Sequence, residues 1–151
     1  MLAILSVSAV IKAQETTEPG LDTEDDVVVE PTRTIFTGSG PLQGRKVTTA
    51  TGSSHSEFLG IPFAEPPTGR LRYRPPQPVQ PWQEIFQANQ DGPVCLQPKS
   101  GFEFGETSSM SEDCLTLNIF TTNTLSLHQN KPVMFWIHGG GFSQGSKDLY
   151  R

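Results

Sequence analysis

Short apolar and β-branched runs, each bounded by turn residues, set the pattern of the chain. Val27–Val29 is one such run, ended by Glu30-Pro31. Residues 38–44 (GSGPLQG) read as a turn region, and Arg45–Thr51 as a strand rich in β-branched residues. Gly52-Ser53-Ser54 turns the chain again. Glu57–Ala64 reads as a buried strand that must stop at Pro66-Pro67, because adjacent prolines cannot donate ladder hydrogen bonds. Residues 65–82 hold six prolines and predict an extended, irregular segment. Leu115–Thr121 alternates, with Leu115, Leu117 and Ile119 on one side and Thr116, Asn118 and Phe120 on the other, which predicts a half-buried strand. A polar loop over 122–131 leads into Pro132–His138, a nearly unbroken apolar run. That run reads as a central strand covered on both faces, as in a parallel sheet with layers on each side. No long helical period and no internal repeat occur.

Composition narrows the picture. The 151 residues suit one domain. With 34% hydrophobic residues, 14 glycines and 13 prolines, the chain has a lean core, many turns and little long helix. No Gly-X-Y period exists, and no apolar run reaches the ~18 residues of a spanning helix. The net charge of −5 is uneven: residues 1–30 carry seven acids and one base, whereas 31–151 carry nine acids and ten bases. The acidity therefore belongs to an N-terminal tail. The neutral body offers no electrostatic reason to bind nucleic acid.

The tail itself has two parts. Leu2–Ile11 is predominantly apolar and is followed by Lys12-Ala13, the length of a secretory h-region with cleavage after Ala13, although no basic residue precedes it. Residues 1–13 are accordingly expected to be a signal peptide and 14–26 an acidic, disordered lead-in. A secreted chain with two cysteines, Cys95 and Cys114, is expected to form one disulfide. In the chain-entropy picture a loop of about twenty residues is worth roughly 3 kcal/mol. Two cysteines without a CxxC or a nearby histidine do not make a zinc site, and no metal or other cofactor is expected.

The chemistry concentrates after the last apolar run, in His138-Gly139-Gly140-Gly141. Three glycines there imply a close backbone approach or positive φ. An oxyanion hole needs that freedom, because unshielded amide N–H groups must aim at the charge that develops on a carbonyl oxygen. Phosphate cradles fail on spacing. Gly145 is followed by Ser146-Lys147, the reverse of a P-loop, and the dinucleotide pattern would need glycine where Gln144 stands. Gly141-Phe142-Ser143-Gln144-Gly145 matches G-x-S-x-G literally. An elbow serine, however, sits directly between strand and helix and is followed by an acid and then a histidine. Two further glycines separate Ser143 from the preceding run, and His55, His128 and His138 all lie upstream of it. Ser143 is therefore read as a decoy. Arg70, Arg72 and Arg74, interleaved with Leu71 and Tyr73, read as ion-pairing and snorkelling residues more than as an anion site.

Four blocks together resemble the N-terminal part of type-B carboxylesterases, in the cholinesterase-like branch of α/β-hydrolases. They are Phe58-Leu-Gly-Ile-Pro-Phe-Ala-Glu-Pro-Pro67, Arg72-Tyr-Arg-Pro75, Ser111-Glu-Asp-Cys-Leu-Thr-Leu-Asn118 and Trp136-Ile-His-Gly-Gly-Gly-Phe142. The resemblance covers residues 27–151. It implies an α/β chain, mostly strands and loops over this stretch. It implies that Gly140 and Gly141 supply two oxyanion-hole amides, that Cys95 and Cys114 form the family's first disulfide loop, and that Arg72 and Glu112 form a buried structural salt bridge. His138 would be structural. The substrate would be a small-molecule carboxylic ester. The catalytic domain of the family is several times longer, so the serine, acid and histidine of the triad would lie beyond Arg151, and these 151 residues alone would be inactive. The Cys95–Cys114 loop has Phe102 and Phe104 but no tryptophan, and His138 stands where cholinesterases usually have tyrosine. Both departures point away from choline esters. Some members of the family are non-catalytic adhesion or scaffold proteins; the intact glycine triplet favours the enzyme reading.

Overall fold

A computed structural model describes residues 28–49, 51–98, 109–122 and 130–150. The expected signal peptide, the acidic lead-in, Phe102, Phe104 and most of the 122–131 loop lie outside the described residues. Nine short strands are described: β1 (Val28–Pro31), β2 (Ile35–Phe36), β3 (Pro41–Gln43), β4 (Arg45–Thr48), β5 (Ser54–Pro62), β6 (Phe86–Gln87), β7 (Val94–Cys95), β8 (Met110–Ser111) and β9 (Thr116–Thr122). Two 3₁₀ turns, Gly69–Leu71 and Lys147–Tyr150, are the helical elements among the described residues. None of these helices is long and apolar enough to cross a membrane.

The strands form three sheets. The main one is antiparallel throughout, in the order β1-β4-β5-β9. A three-stranded sheet has the order β2-β3-β6, and β7 pairs with β8 in parallel. The core lies between the first two sheets: Phe58 and Ile61 of β5 meet Leu42 and Ala88, with Ile35, Phe86, Leu117 and Ile119 packed around them. Trp82 closes one side. Its ring centroid is 5.6 Å from that of Phe86, and its indole N–H donates to the Pro41 carbonyl at 2.8 Å. The turn region expected over 38–44 therefore contains a strand, because Leu42 has a core to fill.

β9 is buried on both faces, more than its alternation suggested. Leu117 and Ile119 pack on the core, while Asn118 (7% exposed) and Phe120 (6%) are buried on the other face. That second face also carries Glu57, the register partner of Phe120. The buried Glu57 carboxylate accepts from Arg45 at 2.7 Å and pairs with His55 Nε2 at 2.8 Å, so its desolvation is compensated.

The β5–β9 ladder shifts register between Phe58 and Ile61. Gly60 sits in this bulge at φ +65°, and a Cβ there would come within 2.6 Å of the Gln90 carbonyl oxygen. The Leu59 amide leaves the ladder to donate to Ala88 O at 2.9 Å. The Gly60 amide donates to Asn118 Oδ1 at 2.9 Å, and Asn118 Nδ2 donates to Asp91 Oδ1 at 2.8 Å. One buried carboxamide thus joins the bulge to the 88–93 loop.

The apolar run Pro132–His138 is not a strand. Residues 131–139 have no regular structure, and Phe135 and Ile137 are 70% and 76% exposed. A strand that is apolar on both faces needs hydrogen-bonding neighbours, and no described strand ladders onto this one. The Lys131 ammonium ties its start to the Thr122 hydroxyl at the end of β9.

Asn118→Ala leaves the Gly60 amide buried without an acceptor, and is expected to destabilise the chain by about 2 kcal/mol. Asn118→Asp keeps the acceptor but sets a carboxylate against Asp91, and is expected to be worse at neutral pH than at mild acidity. Urea denaturation measures both; a loss below about 0.5 kcal/mol for the alanine variant would show that the bridge is dispensable.

Candidate functional site

The glycine loop is shaped by its backbone. Gly140 (φ +139°), Gly141 (φ +60°) and Phe142 (φ +59°) follow one another in the positive-φ region. A Cβ on Gly140 would sit 1.6 Å from the Gln144 carbonyl oxygen, so this position tolerates only glycine. The Gly140 carbonyl accepts from the amides of Ser143 and Gln144, both at 3.1 Å, which closes the turn. His138 Nδ1 lies 2.8 Å from the Gly139 carbonyl oxygen. Among the described residues no acceptor meets the N–H groups of Gly140 or Gly141. Ser143 lies inside this turn, exposed, and its hydroxyl donates to the Gly140 carbonyl at 3.3 Å rather than to an imidazole.

Cys95 and Cys114 are disulfide-bonded, with Cα atoms 5.0 Å apart. The bond ties β7 to the entry of β9. Beside it lies a cavity of about 370 Å³. Its lining includes Phe63, Val94, the disulfide, Phe120, residues 135–138 and residues 145–147. Residues 135–138 thus share a cavity with residues of β9 and form no ladder with that strand. No group of three His, Cys, Asp or Glu side chains gathers at a point suited to a metal among the described residues.

Gln97, which no sequence motif singles out, connects these parts. Its Oε1 accepts from the Gly145 amide at 2.7 Å, and its Nε2 donates to the Gly145 carbonyl at 3.0 Å and to the Cys95 carbonyl at 3.0 Å. Its position two residues after Cys95 was the available signal, but a glutamine carries no chemistry that pattern reading weighs.

Arg72 and Glu112 do meet, at 2.5 Å, but the expected burial is corrected: their side chains are 50% and 36% exposed. Arg72 follows the exposed turn Gly69–Leu71, and the pair lies at the surface, outside the cavity. The hydrogen bond from Arg72, aided by its charge, lowers the Glu112 pKa, and the same hydrogen bond raises that of Arg72. A carboxylate with a depressed folded-state pKa adds stability above its unfolded pKa and loses it as pH falls through the lower folded value. Solvent screening keeps that contribution small. The Glu112 carboxyl is therefore expected to titrate below the ordinary glutamate range and to return to it in Arg72→Ala, as read by carbon NMR. An ordinary midpoint, unmoved by the substitution, would show that the pair is not held in solution.

Comparison with known proteins identifies the family. The model of the carboxylesterase family matches residues 31–151. The chain is 42% identical over 128 residues to acetylcholinesterase of Electrophorus electricus, covering 80% of this chain and 20% of that protein. It is 43% identical over 103 residues to carboxylesterase 1E of Mus musculus, covering 62% and 18%. It is 40% identical over 114 residues to a carboxylic ester hydrolase of Bombus ignitus, covering 74% and 20%. The chain thus spans about a fifth of the length of the curated relatives it matches. Identity does not separate the cholinesterase from the carboxylesterase relatives, and the motif blocks that suggested the resemblance fall inside the matched residues. The chain belongs to the carboxylesterase family.

Proposed function

We propose that this chain is the N-terminal part of a secreted serine carboxylesterase with the α/β-hydrolase fold, and that it supplies the oxyanion-hole loop. The observation that carries the reading is the pair of amides on Gly140 and Gly141 that meet no acceptor among the described residues, in a loop whose backbone excludes a side chain at Gly140. In acyl transfer a serine oxygen adds to the ester carbonyl, and the carbonyl oxygen gains a negative charge. Two preorganised N–H donors stabilise that charge more than they stabilise the neutral ester, which lowers the barrier. The nucleophile, its histidine base and the acid come from beyond Arg151. Ser143 does not replace them, because its hydroxyl serves the turn.

The substrate class is a small-molecule carboxylic ester. The missing tryptophan between Cys95 and Cys114 argues for a general ester over a choline ester. The relatives named above are called esterases, and nothing observed favours an adhesion or scaffold role. Residues 1–13 would direct export and be removed, residues 14–26 would act as a spacer, and the disulfide suits an oxidising compartment.

Gly140→Ala in the whole protein keeps the backbone N–H but drives a Cβ into the Gln144 carbonyl and so displaces the loop; it is expected to lower kcat for a p-nitrophenyl ester by about 10²- to 10³-fold, the scale of a lost oxyanion donor. Residues 1–151 alone are expected to show no turnover. Turnover by the short chain that disappears in Ser143→Ala would overturn the assignment. Export is checked separately, by finding Gln14 at the N-terminus of the secreted product.

A further inference from the structure

We infer that Gln97 is a positioning residue for the glycine loop: its carboxamide grips both backbone groups of Gly145 and so sets the base on which Gly140 and Gly141 stand. The inference rests on the carboxylesterase reading for its functional consequence, but not for its geometry. A primary amide offers a donor and an acceptor side by side, and it matches the N–H and C=O of a single residue as a neighbouring strand would. Gln97 uses this match fully, with the Gly145 amide 2.7 Å from Oε1 and the Gly145 carbonyl 3.0 Å from Nε2. The second N–H of Nε2 goes to the Cys95 carbonyl at 3.0 Å, so the grip is braced against the disulfide-bonded cysteine.

Gly145 in turn bears on the triplet. It has φ +122°, and the place where its Cβ would stand is 2.5 Å from the Gly139 carbonyl oxygen and 2.6 Å from His138 Nδ1. A movement of Gly145 toward that side runs into His138 and Gly139. Gly140, the residue after Gly139, is tighter still against Gln144. Three glycines have little torsional preference of their own, so a loop that must present two amides in fixed directions needs an external restraint. No carboxylate substitutes at neutral pH, since ionised glutamate has no proton to give the Gly145 carbonyl. Asparagine is one methylene short.

The test uses three proteins: wild type, Gln97→Ala and Gln97→Glu. In the whole protein, labelled at glycine for NMR, the Gly145 amide is expected to exchange about tenfold faster in Gln97→Ala than in wild type, the loss of one hydrogen bond. The Gly139–Gly141 resonances are expected to move with it. In Gln97→Glu the same resonances should be displaced at neutral pH. They should return toward wild-type positions as acidification protonates the new carboxyl, which then offers O–H and C=O in place of the amide. Gln97→Ala should show no such return, and this removes any general effect of acid or of poor folding. In the whole protein, Gln97→Ala is expected to lower kcat by about ten- to a hundredfold with KM nearly unchanged. Unaltered Gly145 exchange in Gln97→Ala, or a Gln97→Glu protein whose loop ignores pH, would overturn the grip. An intact grip in a whole protein without esterase activity would instead refute the enzyme reading and leave the positioning geometry standing. An active protein in which Gln97→Ala leaves kcat unchanged would overturn the functional role.

Discussion

The Asn118 carboxamide is the constraint on which the rest of the described structure hangs. β5 and β9 must form a continuous ladder, yet the chain also has to accept the 88–93 loop at its side, and a regular ladder cannot do both. The bulge at Gly60 frees two amides; Ala88 takes one and Asn118 the other. The remaining face of Asn118 then binds Asp91. Without that side chain the bulge would leave a buried donor unmatched, a penalty larger than the bond itself is worth when made. The direction of residues 91–95 therefore depends on it, and with them the place of Cys95 opposite Cys114.

A second carboxamide repeats the device one step later. The disulfide fixes Cys95 against the entry of β9, and Gln97 carries that fixity across to Gly145. The glycine loop lies at the end of this series of local restraints, and among the described residues no strand holds it directly. This division of labour suits an electrostatic site. Donors that must be aimed need rigidity, yet they must also have no side chains of their own in the way. Flexible residues braced by polar side chains from elsewhere satisfy both demands.

The strands with strong alternation or β-branched content, β4, β5 and β9, were legible in the sequence, as were the disulfide and the glycine loop. The two-residue strands β2, β6, β7 and β8 were not, because a pair of residues has no period; they exist where Ile35, Phe86 and Val94 find a buried place. Reading Asn118 as the polar side of a half-buried strand failed for a related reason. Its burial is set by the Gly60 bulge and Asp91, both far away in sequence. Gln97 was invisible for the same cause. The Arg72–Glu112 pairing could be anticipated from the family resemblance, but its exposure could not, since exposure is decided by what packs above the pair.

The apolar run Val133–Ile137 sharpens the carboxylesterase reading. Hydrophobic pattern reports the surroundings for which a segment is suited, and this one suits a strand covered on both sides. In the described structure Met134, Phe135, Trp136 and Ile137 are all more than half exposed, beside a cavity of about 370 Å³ rimmed by the disulfide. Covering such side chains fully is worth roughly 1.5–3 kcal/mol each, so these four adjacent exposures form a large unused driving force. The segment immediately precedes the glycine triplet. Under the proposed function, the packing that covers it in the whole protein would also restrain the entry to the triplet at His138. The loop would then be held at both ends: by covered strand before it, and by the Gln97 carboxamide after it.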